Sequence, residues 1–439
     1  MTTKDKYILA DRALEHAMKN GASQARVIIN NSQNNSISVR EKKIENLEKS
    51  IENGLSIFLY VDNKYSVHST NRLDKWKELA KFIEEAIEGT KYLSEDKYRK
   101  LPDPSLYYKG GGPELKIIDD EYDNIDPQQK IDVSFGIENE VAGKDERIVS
   151  VTSSYDDGLS GMVMVSSNGF RGDRTSTYYN VSASVSVKQG DARPSEGWYD
   201  SAVFYKDLKH DGIGEKALER ALRKLGQSKI ESGNMPMLIE NRLAGQCLSP
   251  LIRALSGAAI QQKNSFLVDM LDRKVGSPRL TLIDDPFIES GRGSRLFDSE
   301  GLATKKRKVF ENGILRSYFL DTYYAGKLDM EPTGGGTTNL VLEKGGRNLD
   351  ELIASLDRGI FVTGFNGGNS NGSTGDFSYG IEGFLVEKGK IVKPVSEMNI
   401  TGNFLELYKN LAEVGNDAFE DSAWRTPSLL FDDVSFSGK

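Results

Sequence analysis

The alternation of apolar and polar positions in the first part of the chain predicts helices packed on an antiparallel sheet. Apolar residues recur at helical spacing from Tyr7 to Met18 and from Trp76 to Ile87. Strand patterns lie between these two segments at residues 26–30, 37–40, 55–61 and 65–69. Helices that enclose such a run of strands typically cover one face of the sheet, so an α+β unit is expected.

Further helices and strands of an α+β unit are predicted as far as residue 230. Asp126 and Pro127 predict an N-cap and first-turn proline, strands are predicted at residues 148–155, 159–166 and 175–188, and residues 171–173 are expected to form a turn. Another helix is predicted at residues 217–225. We therefore expect an N-terminal α+β domain over residues 1–230, with a mixed or antiparallel sheet and a polar connector near residues 94–113.

Residues 231–439 are expected to form a β-rich C-terminal domain. Strands are predicted at residues 235–239, 279–283, 304–311, 314–320 and 340–342, with an Asn312-Gly313 hairpin signal. Helices are predicted at residues 250–255, 349–355 and 404–411. Further strands at residues 360–362, 377–386 and 390–395 flank a glycine-rich segment.

The glycine density of residues 364–375 is the strongest functional signal in the residues themselves. Glycine costs backbone entropy, so such density in an ordered chain implies positive φ or close backbone approach. A sheet with a surface of this kind can accept an extended peptide as an added strand. The candidate peptide contacts are Gly364, Asn366, Gly367, Ser373, Thr374, Gly375, Asp376 and Ser378. A low-complexity surface loop is the alternative.

Composition narrows the function classes. The 439 residues carry a formal net charge of -8, which disfavours a nucleic-acid-binding face. No stretch has the length of apolar sequence that spans a membrane, and the first residues lack the apolar core of a signal peptide. The cytoplasm is therefore the expected location, with no membrane and no nucleic acid among the partners.

Residues suited to metal chemistry are sparse. The histidines are His16, His68 and His210, and the one thiol is Cys247. Zinc sites need closely spaced imidazole or thiolate ligands, so no metal and no cofactor are predicted. Four carboxylates leave open a hydrolase that depends on a hard cation: Asp284, Asp285, Asp298 and Glu300. The basic run at residues 305–308 is expected to be a solvated turn.

Several segments, taken in order, resemble the TldD/PmbA family, which has been described as modulators of DNA gyrase. They are residues 297–304 (FDSEGLAT), 374–378 (TGDFS), 401–404 (TGNF), 415–417 (GND) and 426–428 (TPS). The resemblance extends over nearly the whole chain. It implies a role in a metallopeptidase made of two related subunits, in which the TldD type carries an H-E-x-x-x-H zinc helix and a later cysteine ligand.

The resemblance also implies which of the two types this chain is. Ser249, Pro250 and Ala254 stand where the two histidines and the glutamate would be, so the zinc motif is degenerate. The implied role is that of a PmbA or TldE type, a pseudoenzyme subunit that is inactive alone. Its partner would be a TldD-type zinc peptidase subunit in a heterodimer, its substrate a peptide, and a homodimer is expected in isolation. A regulatory gyrase modulator without a peptidase partner is the alternative.

The same alignment gives an expectation for local structure. Ser249 and Pro250 are expected to be the N-cap and first-turn proline of an ordinary helix.

Overall fold

A computed structural model describes residues 1–439 of the chain. The first ninety residues form α1 (Thr3–Lys19), β1 (Gln24–Arg40), β2 (Lys43–Val61), β3 (Lys64–Thr70) and α2 (Trp76–Thr90). After a connector come α3 (Pro127–Asn139), β4 (Ile148–Ser166), β5 (Arg171–Val187), β6 (Ser195–Ala202) and α4 (Ile213–Arg223). The six strands form one antiparallel sheet in the order β3-β2-β1-β4-β5-β6.

Both faces of this sheet are buried along part of β1. Ala25, Val27 and Ile29 pack with residues of α1 and α2, and Ile37 packs at the other end with residues of α3 and α4. Ile28 points to the opposite face and joins a cluster with Phe297 and Leu302 of the later part of the chain. Side chains alternate between the faces of a strand, so β1 contributes to three separate cores.

The strands of this sheet are longer than the sequence pattern predicts. The segments predicted as separate strands at residues 26–30 and 37–40 are one strand, and so are those at 148–155 and 159–166. The turn predicted at residues 171–173 is wrong, because these residues begin β5 and pair with β4. Strand β6 was not predicted at all. In each case polar residues interrupt the apolar pattern, but backbone pairing with neighbouring strands keeps them in the sheet.

The remaining residues form a β-rich region. Its strands are β7 (Gly233–Ile239), β8 (Leu282–Asp285), β9 (Arg307–Glu311), β10 (Ile314–Leu315), β11 (Asn339–Leu342), β12 (Arg358–Ser370), β13 (Asp376–Glu387), β14 (Lys390–Asn403), β15 (Leu411–Val414), β16 (Trp424–Arg425) and β17 (Leu429–Ser437). Its helices are α5 (Asn241–Ala254), α6 (Gly257–Gln261), α7 (Thr322–Leu328), α8 (Leu349–Ala354) and α9 (Phe404–Lys409). The α+β fold class is confirmed, and the boundary near residue 230 stays a prediction.

Two sheets organise this region. A small sheet has the order β10-β9-β8-β11-β16, and a larger one the order β14-β13-β12-β7-β17-β15. An additional pairing between β14 and β17 closes the larger sheet on itself. The core of 43 buried residues lies between the sheets and α5. The larger sheet and α5 together position the candidate site.

Local turn chemistry agrees with the sequence. Asn312 and Gly313 both adopt positive φ between β9 and β10, as do Lys388 and Gly389 between β13 and β14. Asp126 caps α3 by accepting a hydrogen bond from the backbone N–H of Gln128. No helix of the chain combines the length and apolarity that crossing a bilayer requires.

Candidate functional site

The glycine-rich end of β12 presents an unpaired edge. β12 pairs with β7 only at residues 360–362, whereas it pairs with β13 as far as Ser370. Its register with β13 shifts between Phe365 and Gly368, where Gly367 and Gly368 have φ of +72° and +112°. A Cβ on Gly368 would lie 2.3 Å from the carbonyl oxygen of Ser378, but nothing lies within 4 Å of that position on Gly367. Close packing therefore requires Gly368, and Gly367 presents open backbone.

Helix α5 lies opposite this edge. The expectation that a helix starts at Ser249 and Pro250 is wrong, because α5 begins at Asn241 and Pro250 lies inside it. Proline has no N–H and cannot donate to the carbonyl of Gln246. The helix continues past it because one side is buried at helical spacing, by Leu243, Cys247, Leu248 and Leu251.

A cavity of about 350 Å³ separates α5 from the end of β12. Its walls are mostly apolar and aromatic: Met237, Phe365, Phe377, Tyr379, Ile400, Phe404 and Leu407. The polar side chains at its border are Gln246, Ser249 and Arg253. The predicted residues Ser249, Pro250 and Gly367 thus meet at one cavity. Mostly apolar walls with a few polar groups at the border are typical of ligand pockets.

Arg253 gives this cavity a positive charge. Its Nη1 donates to Ser249 Oγ at 2.8 Å, one helical turn away. The guanidinium is exposed and takes part in none of the ion pairs of the chain. Cys247 also borders the cavity, but it is 6% exposed and burial raises the pKa of its thiol to about 12. The cavity therefore has a cation and no thiolate at neutral pH.

Three of the predicted peptide contacts, Ser373, Thr374 and Asp376, hold the turn between β12 and β13 together. The backbone N–H groups of Ser373 and Thr374 donate to Asn371 Oδ1 at 2.9 and 3.3 Å. Asp376 accepts from Asn403 Nδ2 at 3.0 Å and from Thr374 Oγ1 at 2.7 Å, and these two bonds lower the pKa of its carboxyl. The turn is exposed, and none of these side chains lines the cavity.

The other predicted positions are also outside the cavity. A Cβ on Gly364 would lie 2.5 Å from Glu382 Oε1, and one on Gly375 would lie 3.1 Å from the Phe266 ring. Asn366 lies in the register shift between Phe365 and Gly368, Ser378 pairs with Asn369 and Thr401, and Ala254 is buried in the core. As a set, the predicted peptide contacts stay a prediction.

The residues around the cavity do not suit a zinc ion. Ser249 offers only a hydroxyl and Pro250 no side-chain ligand atom, and the Cys247 thiol is held protonated by burial. Arg253 would also repel a cation there. No group of three or more His, Cys, Asp or Glu side chains in the chain is placed to hold a metal.

The four carboxylates considered for a hard cation are engaged separately. Arg307 donates to Asp284 Oδ2 from Nη2 at 3.0 Å, and Lys306 lies 2.7 Å from Asp285. The basic run is not a turn, because Arg307 and Lys308 begin β9, but its three lysines are exposed as expected. Asp298 accepts from two backbone N–H groups, and Glu300 accepts from that of Thr322 at 2.8 Å. The four do not converge on one point.

Sequence reasoning missed Arg253 and the aromatic walls. Arg253 was detectable, since it lies four residues after Ser249, but only if the helix is extended back past Pro250. Phe365, Tyr379 and Phe404 have no sequence signal beyond apolarity. Their role depends on the closure of the larger sheet.

Known protein families and relatives match nearly the whole chain. Residues 25–89, 120–225 and 232–438 match domain 1, the central domain and the C-terminal domain of the family described as PmbA/TldA metallopeptidase. The chain is 31% identical over 433 residues to a protein of Haemophilus influenzae named metalloprotease PmbA homolog, which covers 97% of this chain and 94% of that protein.

Two solved structures share the fold. One, from Bacteroides thetaiotaomicron and described as a candidate modulator of DNA gyrase, is 49% identical with a TM-score of 0.98 and covers 100% of both chains. The other, TldE from Thermococcus kodakarensis, is 22% identical with a TM-score of 0.86 and covers 98% of this chain and 100% of that one. With three matched domains and a relative at 31% identity over nearly its whole length, this chain belongs to the PmbA/TldD family.

Proposed function

We propose that this chain is the zinc-free, peptide-binding subunit of a two-subunit metallopeptidase of the PmbA/TldD type. The observation that supports the proposal is the face of α5, where Ser249, Pro250 and Arg253 border a cavity and offer no zinc ligand. Zinc in such enzymes supplies the attacking hydroxide. The hydrolytic centre then belongs to a TldD-type partner that carries H-E-x-x-x-H.

The edge of β12 supports the peptide-binding part. Residues 363–370 lack a strand on one side, and the cavity lies beside that edge. An extended peptide that adds to this edge gains main-chain hydrogen bonds and places one apolar side chain in the cavity. The name TldE of the Thermococcus kodakarensis structure and the metalloprotease name of the relative support a pairing of this kind.

Measurements of zinc content and peptidase activity test whether the hydrolytic centre belongs to the partner subunit. We expect purified chain to hold no stoichiometric zinc and to leave casein intact, whereas addition of the TldD-type partner from the same organism yields proteolysis. About one zinc per chain after dialysis, or chelator-sensitive activity of the chain alone, would overturn the zinc-free role.

Gly367→Val tests the edge of β12. The added side chain occupies open space beside the cavity and holds an incoming backbone away, so two strand-type hydrogen bonds are lost. These are worth about 1–3 kcal/mol, or roughly tenfold to a hundredfold in partner-dependent proteolysis at low peptide concentration.

Gly190→Val is the matched control. Gly190 also has positive φ, +59°, and also faces open space, but it lies in a distant turn. Both variants therefore bear similar backbone strain. Equal proteolysis by the two variants at equal thermal stability would show that β12 is not the peptide site.

The isolated chain is expected to form a homodimer, and β2 offers a surface for it. β3 covers β2 only from Leu55 onwards, and the free part exposes Leu47 at 61% and Ile51 at 64%. Antiparallel pairing of two copies centred on Leu47 would place Glu45 opposite Lys49 of the second copy. Such pairs are favourable on a sheet. Light scattering should find a dimer for the wild type and a monomer for Leu47→Lys; a monomeric wild type at micromolar concentration refutes the dimer.

A further inference from the structure

A second cavity, of about 710 Å³, lies between the first sheet and the later part of the chain. One wall comes from the five strands β1 to β5, and the other includes residues 295–300 and 335–337. It contains part of the segment 297–304, which supports the family resemblance but has no role in the proposed peptide site. None of its lining residues belongs to the cavity beside α5.

Arg26 on β1 is the most unusual residue of this cavity. It is 5% exposed, and its Nε and Nη1 have no hydrogen-bond acceptor in the protein. Its guanidinium stacks over the Phe58 ring at 4.1 Å. Burial of a charged donor without an acceptor is costly, so such groups in proteins usually have a partner.

Two more guanidinium groups line the same cavity without a carboxylate partner. The side chain of Arg174 has one hydrogen bond, from Nη2 to Met162 Sδ at 3.7 Å. Arg295 donates from Nη2 to the Thr337 carbonyl at 2.6 Å, but its Nε has no acceptor. Burial, followed by repulsion from Arg295, lowers the pKa of Arg174, and burial lowers that of Arg295. None of Arg26, Arg174 and Arg295 forms an ion pair with a carboxylate of the chain, although carboxyl groups lie in the same cavity.

The acidic residues of the cavity have other partners. Asp298 Oδ1 accepts from the backbone N–H groups of Glu300 and Leu302 at 2.8 and 3.0 Å, which holds the loop. Burial raises the pKa of Asp298 and of Glu300, whereas the charge of Arg26 acts to lower both. Arg99 and Lys100 add to the lining, so five cationic side chains face three carboxyl groups.

We propose that this cavity binds a small molecule through an oxyanion group, a phosphate or a carboxylate, held by Arg26, Arg174 and Arg295. Guanidinium groups are suited to both oxyanions because their planar donors match the oxygen geometry. The site is independent of the peptide-binding proposal, since it uses neither α5 nor β12.

Titration calorimetry on the full chain tests the site, with pyrophosphate, inorganic phosphate and citrate as probes at constant ionic strength. We expect saturable binding with about one site per chain. Tighter binding of pyrophosphate identifies a phosphate ligand, and tighter binding of citrate identifies a carboxylate ligand. Absence of saturation with all three at millimolar concentration would overturn the proposal.

Substitutions locate the binding. Arg174→Met and Arg26→Met each remove one charged donor and should weaken binding by about tenfold to a hundredfold. Arg40→Met is the matched control, because Arg40 lies exposed at the end of the same strand as Arg26. Arg174 is only half-buried, so Arg174→Met is expected to fold and still tests the site if Arg26→Met does not fold. The site is refuted if Arg174→Met and Arg40→Met bind the probes with equal affinity. It is also refuted if chloride raises the unfolding temperature of the wild type as much as the probes do.

Discussion

Lys224 forms ion pairs with a strand of the first sheet and a strand of the C-terminal region, and its substitution should lower the free energy of unfolding. It follows α4, and its ammonium lies 2.8 Å from Glu196 Oε1 on β6 and in direct contact with Glu382 Oε1 on β13. The side chains of the three are 6%, 13% and 17% exposed in that order. Glu382 also lies against Gly364, so the ion pair positions the hairpin that carries the proposed peptide-binding edge.

Lys224→Met keeps the aliphatic stem but leaves two carboxylates close together. Removal of one partner from a buried ion pair costs about 3–5 kcal/mol. We expect the lower end, about 3 kcal/mol, because both glutamates keep some solvent contact and Arg220 Nε lies 3.5 Å from Glu196. Urea unfolding followed by tryptophan fluorescence measures this loss as a lower midpoint at unchanged slope.

Two further variants make the result specific. Lys216→Met removes a lysine of α4 that is 41% exposed and pairs with Glu219, so we expect a change below about 0.5 kcal/mol. Lys224→Met combined with Glu382→Gln removes one uncompensated charge and should recover part of the loss. The reasoning is refuted if Lys224→Met is as stable as Lys216→Met, or if the double variant is less stable than Lys224→Met.

Two other predictions concern single residues. Since burial raises the pKa of the Cys247 thiol to about 12, a disulfide reagent at pH 8 should label it only after unfolding; stoichiometric labelling of native protein within minutes would contradict this. Gly313→Ala should lower the free energy of unfolding by more than Gly190→Ala, because both have positive φ but only at Gly313 would a Cβ meet backbone, 2.2 Å from the Gly276 carbonyl oxygen. Equal urea midpoints of the two variants would refute that reasoning.

The fold was predictable where local chemistry determines it. The periodicity of α1 and α2, the cap at Asp126 and the Asn312-Gly313 turn depend on residues close in sequence, and the structure confirms each. The continuous strands β1 and β4 were not predictable in this way. Residues 31–36 of β1 are polar, and they are held in the sheet by pairing with both β2 and β4. Such pairing depends on tertiary contacts that a local pattern does not contain.

The cavity beside α5 was predictable only in part, and Pro250 shows why. A proline preceded by serine is typical of a helix start, and this local preference favoured the wrong boundary. The buried face from Leu243 to Leu251 determines the outcome instead, because the packing of an amphipathic face contributes more to a helix than one lost hydrogen bond. Once the helix is drawn from Asn241, Ser249 and Arg253 lie on one side of it. That Gly367 faces them follows only from the closure of the larger sheet.

The cationic cavity offers a different kind of sequence signal. Arg26 lies in an apolar run with Ala25, Val27 and Ile28, where strand alternation alone would place it on a sheet face that Ile28 also occupies. An arginine on a buried sheet face needs an acceptor, which a nearby carboxylate of the chain usually supplies. Here the nearest acids accept hydrogen bonds from backbone N–H groups, and Nε and Nη1 of Arg26 have no acceptor. A charged residue inside an apolar strand pattern therefore indicates a ligand when the fold supplies no partner for it, and this is the reasoning on which the proposed oxyanion site depends.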